Sequence, residues 1–376
     1  MTRARTYLDH NASSPLRGAA RAAMLDAHEA TGNPSSVHAE GRRVRAIIDT
    51  AREQVAALVG ARPSEVVFTS GATEANNAVM AGGWNAICVS AIEHESVLAP
   101  ARASGAKVIA LPVGADGVVD LQQVAGSLAH AGSGGARTLL SVMLANNETG
   151  VVQPVTEAAG LAREHALSLH VDAVQGPGRL PINFAELGAD TLVISAHKLG
   201  GPRGVGALIV RDGVNLPPFV KGGGQERRRR GGTENVAGIA GFGAAAAEVA
   251  SEAAAAGRMA ALRDKLEAGV MAATPNAVFI GRNAPRIANT SCLAVPGKPA
   301  ETLVIRLDLA GVAVSAGAAC TSGKVGANSV LEAMGLGAEV ARSAVRISLG
   351  PQTDDDDIAA FLAAWEKIAG RAALAA

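Results

Sequence analysis

Aromatic residues make up only 2 % of this 376-residue chain, while alanine and glycine are abundant, a compositional bias that carries no functional information. Net charge is also missing: 34 basic residues balance 34 acidic ones, and the pI lies near 7.1. That balance removes the electrostatic case for a nucleic-acid or anionic-membrane partner, and the Arg227–Arg230 run is too short and isolated to restore it. Cysteine is sparse as well. Cys88, Cys292 and Cys320 share no metal-ligand spacing, which leaves no intrinsic metal site, and an odd count suits a reducing cytosol. No stretch approaches the roughly 18 consecutive apolar residues of a membrane span. The sequence reaches Asp9-His10-Asn11 without the apolar core of a signal peptide, so the expected location is the cytoplasm. Neither repeats nor a low-complexity tail is visible.

What is present is alternation. Arg17–Ala30 and His38–Gly60 read as helices, the second with Val44, Ile47, Ala51, Val55 and Leu58 at helical spacing. Short apolar runs follow at Glu65–Thr69, Ile87–Ala91, Lys107–Leu111, Thr138–Leu144, Ser168–Val171, Thr191–Ser195 and Gly206–Val210, most of them separated by helical stretches. That order predicts an α/β fold with a mainly parallel, doubly wound sheet. The Ala-rich stretch Val236–Ala273 reads as one long helix or two. Beyond it, strands at Ala277–Ile280, Ile287–Val295, Val312–Ser315 and Val345–Ser348 alternate with helices at Pro299–Leu309, Asn328–Met334 and Asp354–Ile368. The expected division is a large domain over 17–256 and a smaller α/β domain built from 1–16 and 257–376.

Chemistry gathers at the ends of these strands, where ligands of open α/β sheets bind. Thr191–Ser195 ends in His197-Lys198 and breaks into a glycine-rich loop. A lysine at such a place is costly to desolvate and suited to act as a nucleophile or Schiff-base partner. After Val66-Val67-Phe68, the turn Thr69–Glu74 opens a helix whose N–H groups, with Thr73 as an extra donor, form a phosphate cradle. It is no Walker A loop, and the nearest approach to that pattern, around Gly323-Lys324, has Ala318 and Val325 where glycine and Ser/Thr are required. Other strands end in Glu93-His94-Glu95, Asn146-Asn147-Glu148-Thr149-Gly150 and Asp172-Ala173-Val174-Gln175. Any one of these has an ordinary reading as a cap, turn or surface residue; together they set a ring, two amides and a carboxylate beside Lys198. A buried Asp needs a cationic partner. A pyridinium nitrogen is one, and pairing it with a Schiff-base lysine marks a pyridoxal-phosphate site. Cys320 stands out separately, because Ser315–Gly326 is a small-residue stretch that reads as a loop, and a cysteine there is a candidate reactive thiol.

These residues resemble the cysteine desulfurases of the NifS/IscS type, in the class V aminotransferase group. The likeness runs from Tyr7-Leu8-Asp9-His10-Asn11-Ala12 to Arg346-Ile347-Ser348-Leu349-Gly350. Between them lie Asn33–His38, Ser70–Asn76, Glu93–Val97, Asn146–Gly150, Asp172–Gln175, Ser195–Lys198, Gly222–Glu226 and Ser315–Cys320. The resemblance implies a pyridoxal-phosphate-dependent transferase of fold type I acting on L-cysteine. Lys198 would carry the cofactor, Asp172 would partner its pyridine nitrogen, and His94 would stack on the ring and move protons. Gln175 and Asn147 would contact the pyridoxal oxygen or substrate. Ala72, Thr73, Ser195 and His197 would hold the phosphate, joined by Thr233 from the other subunit of a homodimer. Arg346 would grip the substrate carboxylate, a task suited to guanidinium geometry, and Asn11 would line the same pocket.

Cys320 would form the persulfide and pass sulfur to an acceptor such as an iron–sulfur scaffold, with which it could transiently share a cluster. The scaffold's identity stays open, as does the choice between nitrogenase assembly and general iron–sulfur supply. Two departures stand out: Arg228 replaces a glycine common in the family, and Ala318 a common serine. The rival readings are another enzyme of the same fold, an aminotransferase or selenocysteine lyase, and a non-catalytic sulfur-relay protein.

Overall fold

The structure, a computed structural model, describes residues 5–122, 126, 137–252, 255–317 and 328–369. Its strands are β1 (Thr6–Tyr7), β2 (Val66–Thr69), β3 (Ala86–Ser90), β4 (Lys107–Leu111), β5 (Thr138–Ser141), β6 (Ser168–Asp172) and β7 (Thr191–Ser195). They continue with β8 (Gly206–Val210), β9 (Val278–Ile280), β10 (Thr290–Ala294), β11 (Val312–Ala313), β12 (Ser315–Ala316) and β13 (Ala344–Ser348). Every residue of β5, β7 and β8 is buried, which is why these segments read as continuous apolar runs: helices cover both faces of their sheet.

That sheet has seven strands in the order β2-β8-β7-β6-β5-β3-β4. β3 to β7 pair in parallel, whereas β8 runs antiparallel to both β7 and β2. The short link Ala196–Val205 explains the exception, since a parallel return needs a crossover of a dozen or more residues. β5 ends at Ser141, earlier than the apolar run, yet the chain stays beside β6 because the Val142 and Leu144 amides donate to His170 and Asp172 carbonyls. Strand order reverses between β3 and β5, and that switch point opens a crevice at the carboxyl ends.

Helix Val236–Ser251 lies across helices Gly18–Glu29 and Ala39–Leu58 and sends Ile239, Phe242, Ala245 and Val249 into the main core. Of the two readings of Val236–Ala273, two helices form, and the second, Ala255–Ala273, belongs to a separate core through Met259, Leu262, Leu266 and Val270. That second core also holds Phe361 stacked on Trp365 at 5.7 Å. It packs on a four-stranded antiparallel sheet, β12-β13-β10-β9, and a parallel pair, β1-β11. The run Val312–Ser315 therefore divides between two sheets. Helix Ala338–Ser343, the turn of helix Phe184–Leu187 and β1 are elements that the apolar pattern does not announce.

Candidate active site

The crevice is a cleft of about 630 Å³ lined by Asn11, Ala72, Thr73, His94, Asn147, Asp172, Gln175, Ser195, His197, Lys198 and Arg346, all picked out from the sequence. They arrive on strand ends, helix starts and the turns that follow the strands. Lys198 closes the 3₁₀ turn Ala196–Lys198 directly after β7. Its Nζ donates to the carbonyl oxygens of Asn11 (2.5 Å) and Ala12 (3.0 Å), which ties the N-terminal segment to the sheet edge. Asp172 ends β6, 6 % exposed. Its Oδ1 accepts from the Val174 amide and its Oδ2 from Asn76 Nδ2 at 2.8 Å. Among the described residues no Lys or Arg lies within ion-pair distance of this carboxylate.

His94 caps helix Glu95–Ala103, its Nδ1 accepting from the Ser96 amide at 3.0 Å. Burial lowers its pKa, with Asp172 opposing and Lys198 assisting. Nδ1 is occupied as an acceptor, so the ring's hydrogen sits on Nε2. His197 is pushed down to about 4 by burial, helped by Lys198 and Arg203.

Helix Ala72–Met80 starts at the cleft, and its first-turn amides have no intrahelical acceptor. β8 passes so close that a Cβ on Gly206 would stand 2.8 Å from the Gly71 backbone. Glycine is what allows Ser195, on the neighbouring strand, and the Ser70–Thr73 turn to face one space. Gln175 is held from both ends: its Nε2 donates to the Asn11 carbonyl, and its Oε1 accepts from Arg179.

Arg346 reaches over from β13. Its Nη2 donates to Asp9 Oδ1 at 2.9 Å, and its Nη1 to Glu148 Oε1 at 3.0 Å and the Asn147 carbonyl. Both acids line the cleft and were not picked out, although each lies inside a quoted motif; a buried arginine needs such partners. Burial raises the pKa of Glu148, while Arg346 lowers it.

Thr233 is exposed and does not line this cleft. Cys320 lies outside the described residues, as do Ala318 and Lys324. Cys88 and Cys292 are buried strand residues. No cluster of three or more His, Cys, Asp or Glu among the described residues could hold a metal ion. No helix among them is long and apolar enough to cross a membrane. The arginine run lies beside the cleft turn. Arg230 pairs with Glu74 at 3.0 Å, and Glu226, Arg227 and Arg228 all have positive φ, 44°, 55° and 65°. Arg228 thus occupies a left-handed position that suits glycine, as its departure from the resembled pattern leads one to expect.

Comparison with known proteins identifies the family. The aminotransferase class-V family matches residues 6–361. The chain is 38 % identical over 377 residues to the cysteine desulfurase IscS of Dictyoglomus turgidum, covering 96 % of this chain and 94 % of the relative. It is 41 % identical over 366 residues to a cysteine desulfurase of Cereibacter sphaeroides, covering 94 % and 93 %. The solved structure of a NifS-like protein from Rickettsia africae superposes with a TM-score of 0.89 at 35 % identity, covering 97 % of this chain and 99 % of that one. With nearly its whole length matched in sequence and in fold, the chain belongs to the aminotransferase class-V family of pyridoxal-phosphate-dependent enzymes, among its cysteine desulfurases.

Proposed function

We propose that the cleft binds pyridoxal phosphate and L-cysteine, and that the chain removes the substrate sulfur as a persulfide on Cys320 for delivery to an iron–sulfur scaffold or another acceptor protein. The observation that carries this reading is Asp172: a buried carboxylate with no Lys or Arg at ion-pair distance among the described residues, facing the same cleft as Lys198. A buried anion of that kind fits a positively charged ring nitrogen. The remaining lining fits the rest of the group. The amides of Ala72 and Thr73 with Ser195 and His197 would take the phosphate, His94 one ring face, and Gln175 and Asn147 the ring oxygen or substrate.

Bound there, pyridoxal phosphate supplies an electron sink for negative charge developing on the substrate carbons. The protein's own groups do the rest. Arg346 would hold the substrate carboxylate, its guanidinium kept in place by Asp9 and Glu148. Asn11 closes the pocket beside it. Lys198 Nζ, steadied by two backbone carbonyls, would take up and return the proton at the substrate Cα, and His94 presents Nε2–H to the same space. The net exchange turns L-cysteine and the Cys320 thiol into L-alanine and a Cys320 persulfide, so atoms balance without a further oxidant. Thr233, exposed and outside its own chain's cleft, would complete the phosphate site of the partner subunit in a homodimer. The expected location is the cytoplasm.

The test supplies L-cysteine without any keto acid. Equal yields of alanine and sulfide under reductant are expected, lost in Lys198→Ala and Cys320→Ala. Borohydride reduction followed by peptide mapping should locate the cofactor on Lys198. Turnover that requires a keto acid, or a label on Lys221 or Lys324, would overturn the assignment.

A further inference from the structure

Behind the cleft wall lies a continuous line of buried polar groups. On β7, Thr191 Oγ1 meets His170 Nδ1 of β6 at 2.9 Å. His170 Nε2 meets Asn76 Oδ1 at 3.1 Å. Asn76 Nδ2 donates to Asp172 Oδ2 at 2.8 Å and to Ser96 Oγ at 2.9 Å. Ser96 Oγ in turn meets His94 Nδ1 at 2.8 Å. Asn76 and His170 are wholly buried, Thr191 is 2 % exposed and Ser96 8 %.

Donor chemistry fixes the direction of every link. An ionised Asp172 only accepts, so Asn76 must turn its amide nitrogen toward it. The second hydrogen of that nitrogen goes to Ser96, which leaves Asn76 Oδ1 as the acceptor for His170. His170 therefore carries its hydrogen on Nε2, and its bare Nδ1 accepts from the Thr191 hydroxyl. At the other end the Ser96 amide donates into His94 Nδ1, so that nitrogen is bare too and the Ser96 hydroxyl can only donate to it. One consistent assignment satisfies six residues.

We propose that Asn76 and His170 are positioning residues for the reaction: through Ser96 they hold His94 in its Nε2–H form, and they fix the Asp172 carboxylate for the cofactor's ring nitrogen. The proposal rests on the pyridoxal-phosphate reading of the cleft. A neutral line is what that role requires, because a cation at His170 would compensate Asp172 before the cofactor could. Burial pushes His170 down to about 3, which keeps it uncharged. Among the described residues, the other titratable groups around Asp172 pair no Lys or Arg with it. Burial and Asp172 raise the pKa of Glu93, burial lowers that of His94, and Lys198 lines the cleft. Unlike packing alone, a directional relay requires His170 to act as donor and acceptor at once.

Imidazole ¹⁵N–¹H correlation spectra of the histidine-labelled protein without added cofactor test the relay directly, with assignments from His170→Gln and His94→Gln. Both rings should be Nε2–H tautomers, and His170 should not titrate between pH 5.5 and 8.5. A Nδ1–H or doubly protonated His170 overturns the proposal whatever the cleft binds. Pyridoxal phosphate then tests the consequence. His170→Phe, similar in shape but without ring nitrogens, should weaken cofactor binding about fivefold, the worth of one lost hydrogen bond. It should also move the signal of ring-¹⁵N-labelled cofactor toward the neutral pyridine. His170→Gln, which keeps a donor and an acceptor, should restore both. Wild-type affinity and ¹⁵N shift in His170→Phe, even with a lower melting temperature, reduce the line to packing and overturn the role. If the wild-type protein fails to bind pyridoxal phosphate, the functional reading falls while the tautomer spectra still decide the relay. If His170→Phe fails to fold, those spectra decide it alone.

Discussion

Glu226→Ala should be among the most destabilising single substitutions in the large sheet's surroundings. Glu226 is 4 % exposed and Arg52 3 %. The pair is bidentate, with both contacts at 2.7 Å, and Glu226 also accepts from the Phe68 amide of β2 at 2.9 Å. Removing the carboxylate leaves a buried guanidinium and a buried amide without their acceptor. Arg52 keeps only its bond to the Val66 carbonyl and its place over the Phe68 ring at 4.8 Å. Stranding one member of a buried ion pair costs about 3–5 kcal/mol. Alanine would inherit the left-handed φ of 44° at this position, so no strain relief offsets the loss. For a chain of this length the unfolding entropy is roughly 0.8 kcal/mol per degree, which turns that cost into a fall of about 4–6 °C in melting temperature. Calorimetry or urea unfolding checks it, with Arg52→Met/Glu226→Ala as the companion. Removing the stranded charge should recover a substantial part of the loss, because the penalty belongs to the orphan rather than to the missing attraction. A loss below about 1 kcal/mol, or a double variant as unstable as the sum of its singles, would refute the reasoning.

Arg228→Gly should stabilise the fold by about 0.5–1 kcal/mol in urea unfolding, since the exposed Arg228 sits at φ 65° and glycine takes up that conformation without steric cost. Gly206→Ala should impair cofactor affinity more than stability, read by equilibrium dialysis, because its Cβ would press on the Gly71 backbone at the cradle. His170 gives a signed pH dependence: the unfolded imidazole takes up a proton near 6.5, whereas the folded one waits until about 3. Stability should therefore fall as pH drops from about 6 to 4, at up to about 1.4 kcal/mol per unit from this residue, and His170→Gln should flatten the slope in chemical-denaturation series. A native Ellman titration should find one fast thiol, Cys320, and denaturant should release two more. Burial pushes Cys88 up to about 11 and raises Cys292 further, with Glu148 adding to it.

The sheet was legible because most of its strands are buried on both faces and even the largely exposed edge strand β4 is an apolar run bounded by turn residues, so type and place survive even where ends shift by a residue or two. Lys107–Leu111, Thr191–Ser195 and Gly206–Val210 keep their expected limits. Direction was less legible: nothing local to Gly206–Val210 says antiparallel, and only the length of the preceding link does. The two-residue strands β1, β11 and β12 are set by tertiary pairing rather than by period. Much of the cleft's lining was legible because polar side chains at the carboxyl ends of apolar runs converge wherever the sheet is parallel, but Asp9 and Glu148, which also line it, were not picked out. Its supports were not legible. Asn76 and His170 look like an ordinary helix amide and a strand histidine until the pairing of β6 with β7 and the placement of helix Ala72–Met80 bring them together.

Arg346 shows why an arginine at that place needs more than its own strand. It sits opposite Cys292 on β13 of the smaller sheet, yet its donors end on Asp9, Glu148 and the Asn147 carbonyl. Asn11 repeats the pattern, donating to both the Asn147 carbonyl and Thr290 Oγ1 of β10 while its own carbonyl accepts from Lys198. The segment after β1 therefore runs between the two sheets and bonds to each. A shift of one sheet against the other would separate the guanidinium from its acids and Lys198 from its carbonyls together. Side chains from two separate cores are thereby held to one geometry by short polar contacts, where a tolerance of well under 1 Å is what oriented catalysis demands.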